Sequence, residues 1–401
     1  MHQFATAHDE LQVGGVPLSL LAERVGTTPF YAYDRCQIAA RIEKVRSVLP
    51  FGAQLHYAIK ANPMPALVGF VRPLVDGMDV ASAGELKLAL DAGMDVQSIA
   101  FAGPGKGLSE LRQAVASGVL LHVESPRELW ALTDIAQSLG RPARVALRIN
   151  PDFELRGAGM HMGGGPKPFG IDAEQAPLLL RGMVGNGLAF EGFHLYTGSQ
   201  NLHGTVIAES LRRSVELVLR LAQDAPAPVR QVNLGGGWGI PYFPGEQPLD
   251  LFPVADALAM AQAALQRSFP TARLVVELGR YLVGEAGIYV ARVIDRKVSR
   301  GEVFLVTDGG MHHHLAASGN FGQVIRRNYP VVIGNRMQMR EKETATIVGP
   351  LCTPLDVLAH RAEVAVAEPG DLLVIYQSGA YGATASPQAF LGHPPCPEVL
   401  V

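Results

Sequence analysis

Between residues 55 and 280 the chain holds eight short apolar, often β-branched runs, most of them separated by longer stretches with helical spacing. The runs are Leu55–Ile59, Met78–Val80, Ile99–Ala102, Leu120–Val123, Val145–Ile149, Phe190–His194, Val232–Leu234 and Leu274–Glu277. Amphipathic stretches such as Gly84–Ala92, Leu108–Ser117, Arg127–Leu139 and Val206–Gln223 separate them. Apolar runs of this length suit strands buried on both faces, and parallel neighbours need a long crossover, so the alternation predicts βαβ units. Eight such units close into a (β/α)8 barrel of TIM type; an open doubly wound sheet is the alternative.

After about residue 285 the pattern changes. Ile288–Lys297, Val303–Thr307, Pro330–Ile333, Ala345–Val348 and Leu372–Tyr376 read as strands without intervening helices, which predicts an antiparallel β domain. Pro29–Tyr33, ahead of a helix at Arg35–Val48, is a candidate further strand of that domain. The expected organisation is an α/β chain with a barrel over 36–284 and a β domain formed by 1–35 and 285–401.

With 34 Lys and Arg against 37 Asp and Glu among 401 residues, neither sign dominates, which argues against nucleic acid or anionic lipid as the main partner. Cys36, Cys352 and Cys396 form neither a disulfide framework nor a metal-binding spacing, as expected for a reducing cytoplasm. No apolar run reaches about 18 residues, so no membrane span is expected. The opening Met1-His2-Gln3-Phe4 has neither the basic nor the apolar region of a secretory signal.

In such a barrel, reactive groups gather where the strands end. The first run finishes in Tyr57-Ala58-Ile59-Lys60. A lysine closing a buried apolar strand is costly if charged, so it either snorkels to water or serves as an amine. The sixth finishes at His194, followed by Tyr196, Gly198 and Ser199. The seventh leads into Gly235-Gly236-Gly237, which is either a plain tight turn or a cradle of backbone N–H groups for phosphate. The eighth ends in Glu277-Leu278-Gly279-Arg280, an acid in need of a partner beside anion-binding residues. An amine, an imidazole that can stack on a ring, a phosphate cradle and a buried acid together match pyridoxal 5′-phosphate. His312, His313 and His314 look like a metal tract, but contiguous histidines on a strand alternate faces, so no metal site is expected there.

Seven motifs in order, YAIKAN at 57–62, DVASAGEL at 79–86, GFHLYTGSQ at 192–200, LGGGWGIPY at 234–242, ELGRY at 277–281, GPLCTPLD at 349–356 and SGAYG at 378–382, resemble the fold-type III pyridoxal-phosphate decarboxylases. This is the ornithine/diaminopimelate/arginine decarboxylase family, and the chain is most like its exosortase A system-associated members. The resemblance implies an alanine-racemase-like barrel with a C-terminal β domain, in a homodimer with shared active sites. It implies that Lys60 is the Schiff-base lysine, that His194 stacks on the cofactor ring and that Glu277 contacts the pyridine nitrogen. It places Gly235, Gly236, Gly237, Gly279, Arg280 and Tyr381 around the phosphate, with Ser199 close by. Asp79 and Glu85 match supporting carboxylates near the lysine. Cys352, otherwise readable as a small buried hydrophobe, matches a thiol that one subunit inserts into the other as proton donor.

The implied activity is α-decarboxylation of an amino acid. An alanine-racemase-type enzyme is the alternative, although racemases of this fold carry arginine where Glu277 stands. A non-catalytic pyridoxal-phosphate carrier is a further one, but carriers of that kind are single barrels without a β domain. Diaminopimelate and ornithine decarboxylases follow the cysteine with an acid that holds a distal ammonium, whereas Thr353 follows Cys352 here. Arg326 aligns with an arginine that binds a distal carboxylate, and Tyr329 stands close to the place of its partner tyrosine. Arg280, Arg326, Tyr329, Thr353 and Tyr381 are therefore the expected substrate contacts. The expected substrate has a distal acidic or carrier-linked group, with true diaminopimelate decarboxylation as the alternative.

Overall fold

In the computed structural model, which describes residues 3–154, 160–183, 187–323 and 326–401, the chain divides into two compact units. One comprises Ile42–Ile240 and Gln247–Gly279; the other comprises Met1–Arg41, Pro241–Glu246 and Arg280–Val401.

The first unit is a closed parallel barrel. Its strands are β1 (Gln54–Ala58), β2 (Gly77–Val80), β3 (Ile99–Phe101), β4 (Leu120–Val123), β5 (Ala143–Asn150), β6 (Leu188–Leu195), β7 (Gln231–Gly236) and β8 (Arg273–Leu278). Each lies parallel to the next in sequence, and β8 pairs with β1 to close the ring. The predicted runs are these eight strands, with ends displaced by one or two residues. Because all run the same way, every residue at a strand's C-terminal end reaches one rim.

The connecting helices follow ordinary start and stop rules. Helix Pro126–Leu139 begins at Ser125, whose hydroxyl accepts from the N–H of Glu128, has proline in its first turn, and stops at Gly140 with φ 59°. Leu129, Leu132, Ile135 and Ala136, at helical spacing, are its buried face. Each fully buried leucine or isoleucine there contributes about 1.5–3 kcal/mol, and Leu132→Ala would cost about 2–5 kcal/mol.

The second unit is built on a sheet ordered Val331–Ile333, Leu372–Ile375, Gly287–Ser299, Glu302–Thr307, Lys342–Val348 and Val357–Ala365. Strand Phe30–Tyr33 joins it, antiparallel to Gly287–Ser299. The expectation of a purely antiparallel domain is corrected: Glu302–Thr307 runs parallel to Lys342–Val348, and Glu398–Leu400 runs parallel to Phe30–Tyr33. The long connection from Asp308 to Glu341 supplies the crossover that the first pairing requires. Phe4, Leu11, Val13, Leu18, Phe30, Ile288, Val290, Leu372 and Val374 form a core of this unit.

A second correction concerns His312, His313 and His314. They lie in a turn, where the N–H groups of His313 and His314 both donate to the carbonyl of Gly310, at 2.9 and 3.0 Å. His313 Nε2 lies 2.9 Å from the Pro394 carbonyl and His314 Nε2 lies 2.9 Å from Ser378 Oγ. Among the described residues no helix is long and apolar enough to cross a membrane.

Candidate active site

The first strand stops at Ala58, and Lys60 falls in a single 3-10 turn, Ile59–Ala61. The expectation of a lysine closing a buried strand is therefore corrected. The turn lifts the side chain to an exposed position at the barrel rim, so its charge carries no burial cost. Its Nζ stands 5.5 Å from the ring centre of Tyr196, within cation–π range. Tyr57 Oη donates to the carbonyl of Asn62 at 2.8 Å, which fixes the far side of the turn. Glu85 opens the helix after β2, accepting from the N–H of Ala81 at 2.7 Å. Burial raises the Glu85 pKa against the opposing pull of that N–H and of Lys60.

Below the rim the barrel holds a buried acid–base set. Glu277 Oε2, on β8, lies 3.2 Å from His194 Nε2, on β6, off the line of a good hydrogen bond. Asn233, on the intervening β7, donates its Nδ2 to the same oxygen at 3.2 Å. Burial alone would raise the pKa of Glu277, but His194, Lys60 and Arg148 outweigh it and hold the carboxyl at about 2. Asp79 Oδ2 lies 3.4 Å from His56 Nδ1. Burial raises the Asp79 pKa, opposed by His56 and reinforced by Glu277. Arg148 Nη1 donates to Glu124 at 2.8 Å.

The turn after β7 depends on missing side chains. Gly235 and Gly237 have φ of 67° and 71°, a left-handed backbone that favours glycine. A Cβ on Gly237 would come 1.9 Å from the carbonyl oxygen of Gly198 and 3.5 Å from Cα of Ser199. A Cβ on Gly236 would come 2.0 Å from the carbonyl oxygen of Glu277, and one on Gly279 would come 2.7 Å from Cβ of Ala61. The turn is thus bare backbone, with Ser199 alongside, as an amide cradle for a phosphate must be.

In the second unit, Arg280 Nη1 donates to Tyr242 Oη at 2.6 Å. Its guanidinium lies 5.3 and 4.6 Å from the ring centres of Tyr242 and Tyr381. Burial works against the charge of Arg280, yet those two phenols more than offset it, and its Nε has no partner among the described residues. Tyr381 itself has φ 55°, a conformation that costs about 1–2 kcal/mol outside glycine. Tyr329 is buried against Tyr242, ring centres 4.8 Å apart, and burial drives its pKa well up. Arg326 is exposed and donates to the carbonyl of Val357; Val324 and Ile325 beside it lie outside the described residues. Cys352 is exposed, and the hydroxyl of Thr353 accepts from the N–H of Leu355 at 3.3 Å.

The structure thus brings Glu277, His194 and Asp79 together in one unit, with Lys60 and the glycine turn on its rim. It groups Arg280, Tyr381 and Tyr329 in the other. Sequence reasoning missed His56, His122, Glu124 and Arg148. The one available signal was a charged residue inside an apolar run, Arg148 in Val145-Ala146-Leu147-Arg148-Ile149, which needs a partner when buried and finds Glu124. An exposed amine, an acid kept anionic, Asp79 oxygens without a hydrogen bond among the described residues and a bare glycine turn fit pyridoxal phosphate.

Residues 35–284 match the family model described as the pyridoxal-dependent decarboxylase, pyridoxal binding domain. The chain is 41% identical to the L-glutamyl-[BtrI acyl-carrier protein] decarboxylase of Niallia circulans, over 93% of this chain and 88% of that protein. It is 35% identical to the diaminopimelate decarboxylase of Aquifex aeolicus, over 98% of this chain and 90% of that protein. The crystal structure of diaminopimelate decarboxylase from M. jannaschii in co-complex with L-lysine superposes with a TM-score of 0.89 at 26% identity, covering 99% of this chain and 92% of that one.

Proposed function

The chain belongs to the pyridoxal-dependent decarboxylases, and from that premise we propose that its amino-acid substrate carries a distal acidic or carrier-linked acyl group instead of a distal ammonium. Decarboxylation of an amino acid with pyridoxal 5′-phosphate is the activity of the family. When bound, the cofactor supplies a carbonyl that captures the substrate amine and a ring that takes up the electron pair left by carbon dioxide.

The chain's own residues divide the remaining work. Lys60 offers the amine that holds the cofactor. Glu277, held anionic by its neighbours, would keep a proton on the cofactor's ring nitrogen. Gly235, Gly236, Gly237, Ser199 and Gly279 would hold the phosphate, as Arg280 and Tyr381 are also proposed to, and His194 would lie against the ring. Asp79 and Glu85 keep the lysine's surroundings acidic. Cys352, exposed in its own chain, gives its proton in the site of a second copy, so the active unit is a homodimer.

The observation that carries the substrate reading is Thr353. A hydroxyl already accepting from Leu355 cannot neutralise an ammonium, and an unmatched ammonium there costs about 2–3 kcal/mol, on the order of a hundredfold in rate. Arg326, Tyr329, Arg280 and Tyr381 are the proposed anion-binding contacts. The name of the Niallia circulans relative, a glutamyl-carrier decarboxylase, supports the same reading. Diaminopimelate, which also bears a distal carboxylate, is the second reading, favoured by the Aquifex aeolicus relative. The test is carbon dioxide release from carrier-linked glutamyl, free glutamate, diaminopimelate, ornithine and lysine in competition. Preference for any distal diamine overturns the proposal; gain of diaminopimelate turnover in Thr353→Glu supports it.

A further inference from the structure

His122 lies wholly buried on β4, and neither ring nitrogen has a partner among the described residues. Its ring centre is 4.1 Å from that of His194, with the planes 31° apart. That is stacking distance for two imidazoles. The strand beneath it is clamped. Lys106 Nζ donates to the His122 carbonyl at 3.0 Å and to the Gly103 carbonyl at 2.5 Å. The same ammonium pairs with Glu128 Oε1 at 3.0 Å, and Glu128 Oε2 accepts from the N–H of Glu124 at 2.8 Å. Two buried charges are thus spent on fixing the backbone that carries His122, and nothing is spent on its ring nitrogens.

We propose that His122 is a positioning residue for His194: its ring, carried on a clamped strand, forms the floor against which the imidazole of His194 is held within 3.2 Å of Glu277. This rests on the reading that His194 lies against the cofactor. A floor of this kind must be flat and uncharged, since a cation there would compete with His194 for Glu277. Burial first, then His194, Arg148, Lys106 and His56, press the His122 pKa well below its ordinary value, so the ring is neutral. What the site uses is therefore the aromatic face. Phenylalanine can replace it, and leucine, of similar bulk but without a plane, cannot.

The test compares His122→Phe and His122→Leu in the full-length chain, with thermal unfolding to show that both fold. Two readouts follow: pyridoxal-phosphate affinity by absorbance, and the His194 imidazole signals in ¹⁵N-histidine-labelled protein. His122→Phe should keep both close to wild type. His122→Leu should weaken cofactor binding about threefold to tenfold and broaden or shift the His194 signals. Equal damage in the two folded variants would place the role in the nitrogens and overturn the proposal, as would unchanged His194 signals in His122→Leu. His194→Ala separates the two levels. If that variant binds cofactor like wild type, the cofactor reading of His194 fails, while its signals in His122→Leu still decide whether His122 holds it.

Discussion

The carboxylate of Glu277 reaches past β7 to the imidazole of His194, 3.2 Å away on the next strand but one. Asn233, on the intervening β7, donates to the same carboxylate, and inward side chains of alternate strands meet in this way inside the ring. The pairing keeps a buried acid ionised. Glu277→Gln preserves the shape and the bond to Asn233 but removes the charge. It should lower kcat by about a hundredfold or more with little change in KM. In stability the folded pKa is depressed to about 2, so the contribution of Glu277 is present above the ordinary value of 4.5 and is lost as pH falls toward 2. Steady-state kinetics and acid unfolding of the variant check the two halves separately.

Borohydride treatment should fix the cofactor on Lys60 and nowhere else, as read by peptide mass mapping. Because Lys60 is exposed in a short turn, Lys60→Ala should change stability by no more than about 0.5 kcal/mol while abolishing covalent attachment. A labelled peptide from another lysine would refute the assignment.

If Cys352 acts in a second copy, two dead chains can repair each other. Lys60→Ala and Cys352→Ala proteins, mixed and allowed to exchange, should regain up to about a quarter of wild-type activity, since half the dimers are hybrids and each hybrid has one intact site. Hybrids that form, as shown by native mass spectrometry, and stay inactive would rule out the shared site.

The buried His314, its pKa pushed down to about 3 by burial, sets a stability slope. The native ring stays neutral while the unfolded chain takes up a proton below the ordinary 6.5. Stability should therefore fall as pH drops from about 6.5 toward 3, by up to about 1.4 kcal/mol per pH unit from this residue. Urea unfolding between about pH 6 and pH 4 should show a shallower decline in His314→Gln than in wild type. Equal slopes would mean that His314 is protonated in the native state.

The barrel was legible because strands buried on both faces have no polar alternation to hide them; Leu120–Val123 and Val145–Ile149 read as bare apolar runs. Strand Val357–Ala365 was not, since His360 and Arg361 interrupt it and Arg361 takes a left-handed φ of 47°. The parallel pairing of Glu302–Thr307 was invisible for another reason: direction is fixed by a crossover far from either strand. At the site, the glycine trio, Lys60 and Glu277 announced themselves at strand ends. His122 and Arg148 did not, because each is a lone polar residue whose partners come from other strands and meet only once the ring is closed.

One carboxylate ties two pieces of the β domain together. Asp356 takes the N–H of Met311 at 2.6 Å with one oxygen and that of Leu351 at 2.8 Å with the other. Gly310 and Gly349 stand where any Cβ would come 2.3 Å from those oxygens. The thiol of Cys352 therefore rides on a bracket whose second arm is the turn bearing His312, His313 and His314. Removing that carboxylate would free both arms at once, so the loop that presents Cys352 and the histidine turn share one anchor, four residues from the thiol.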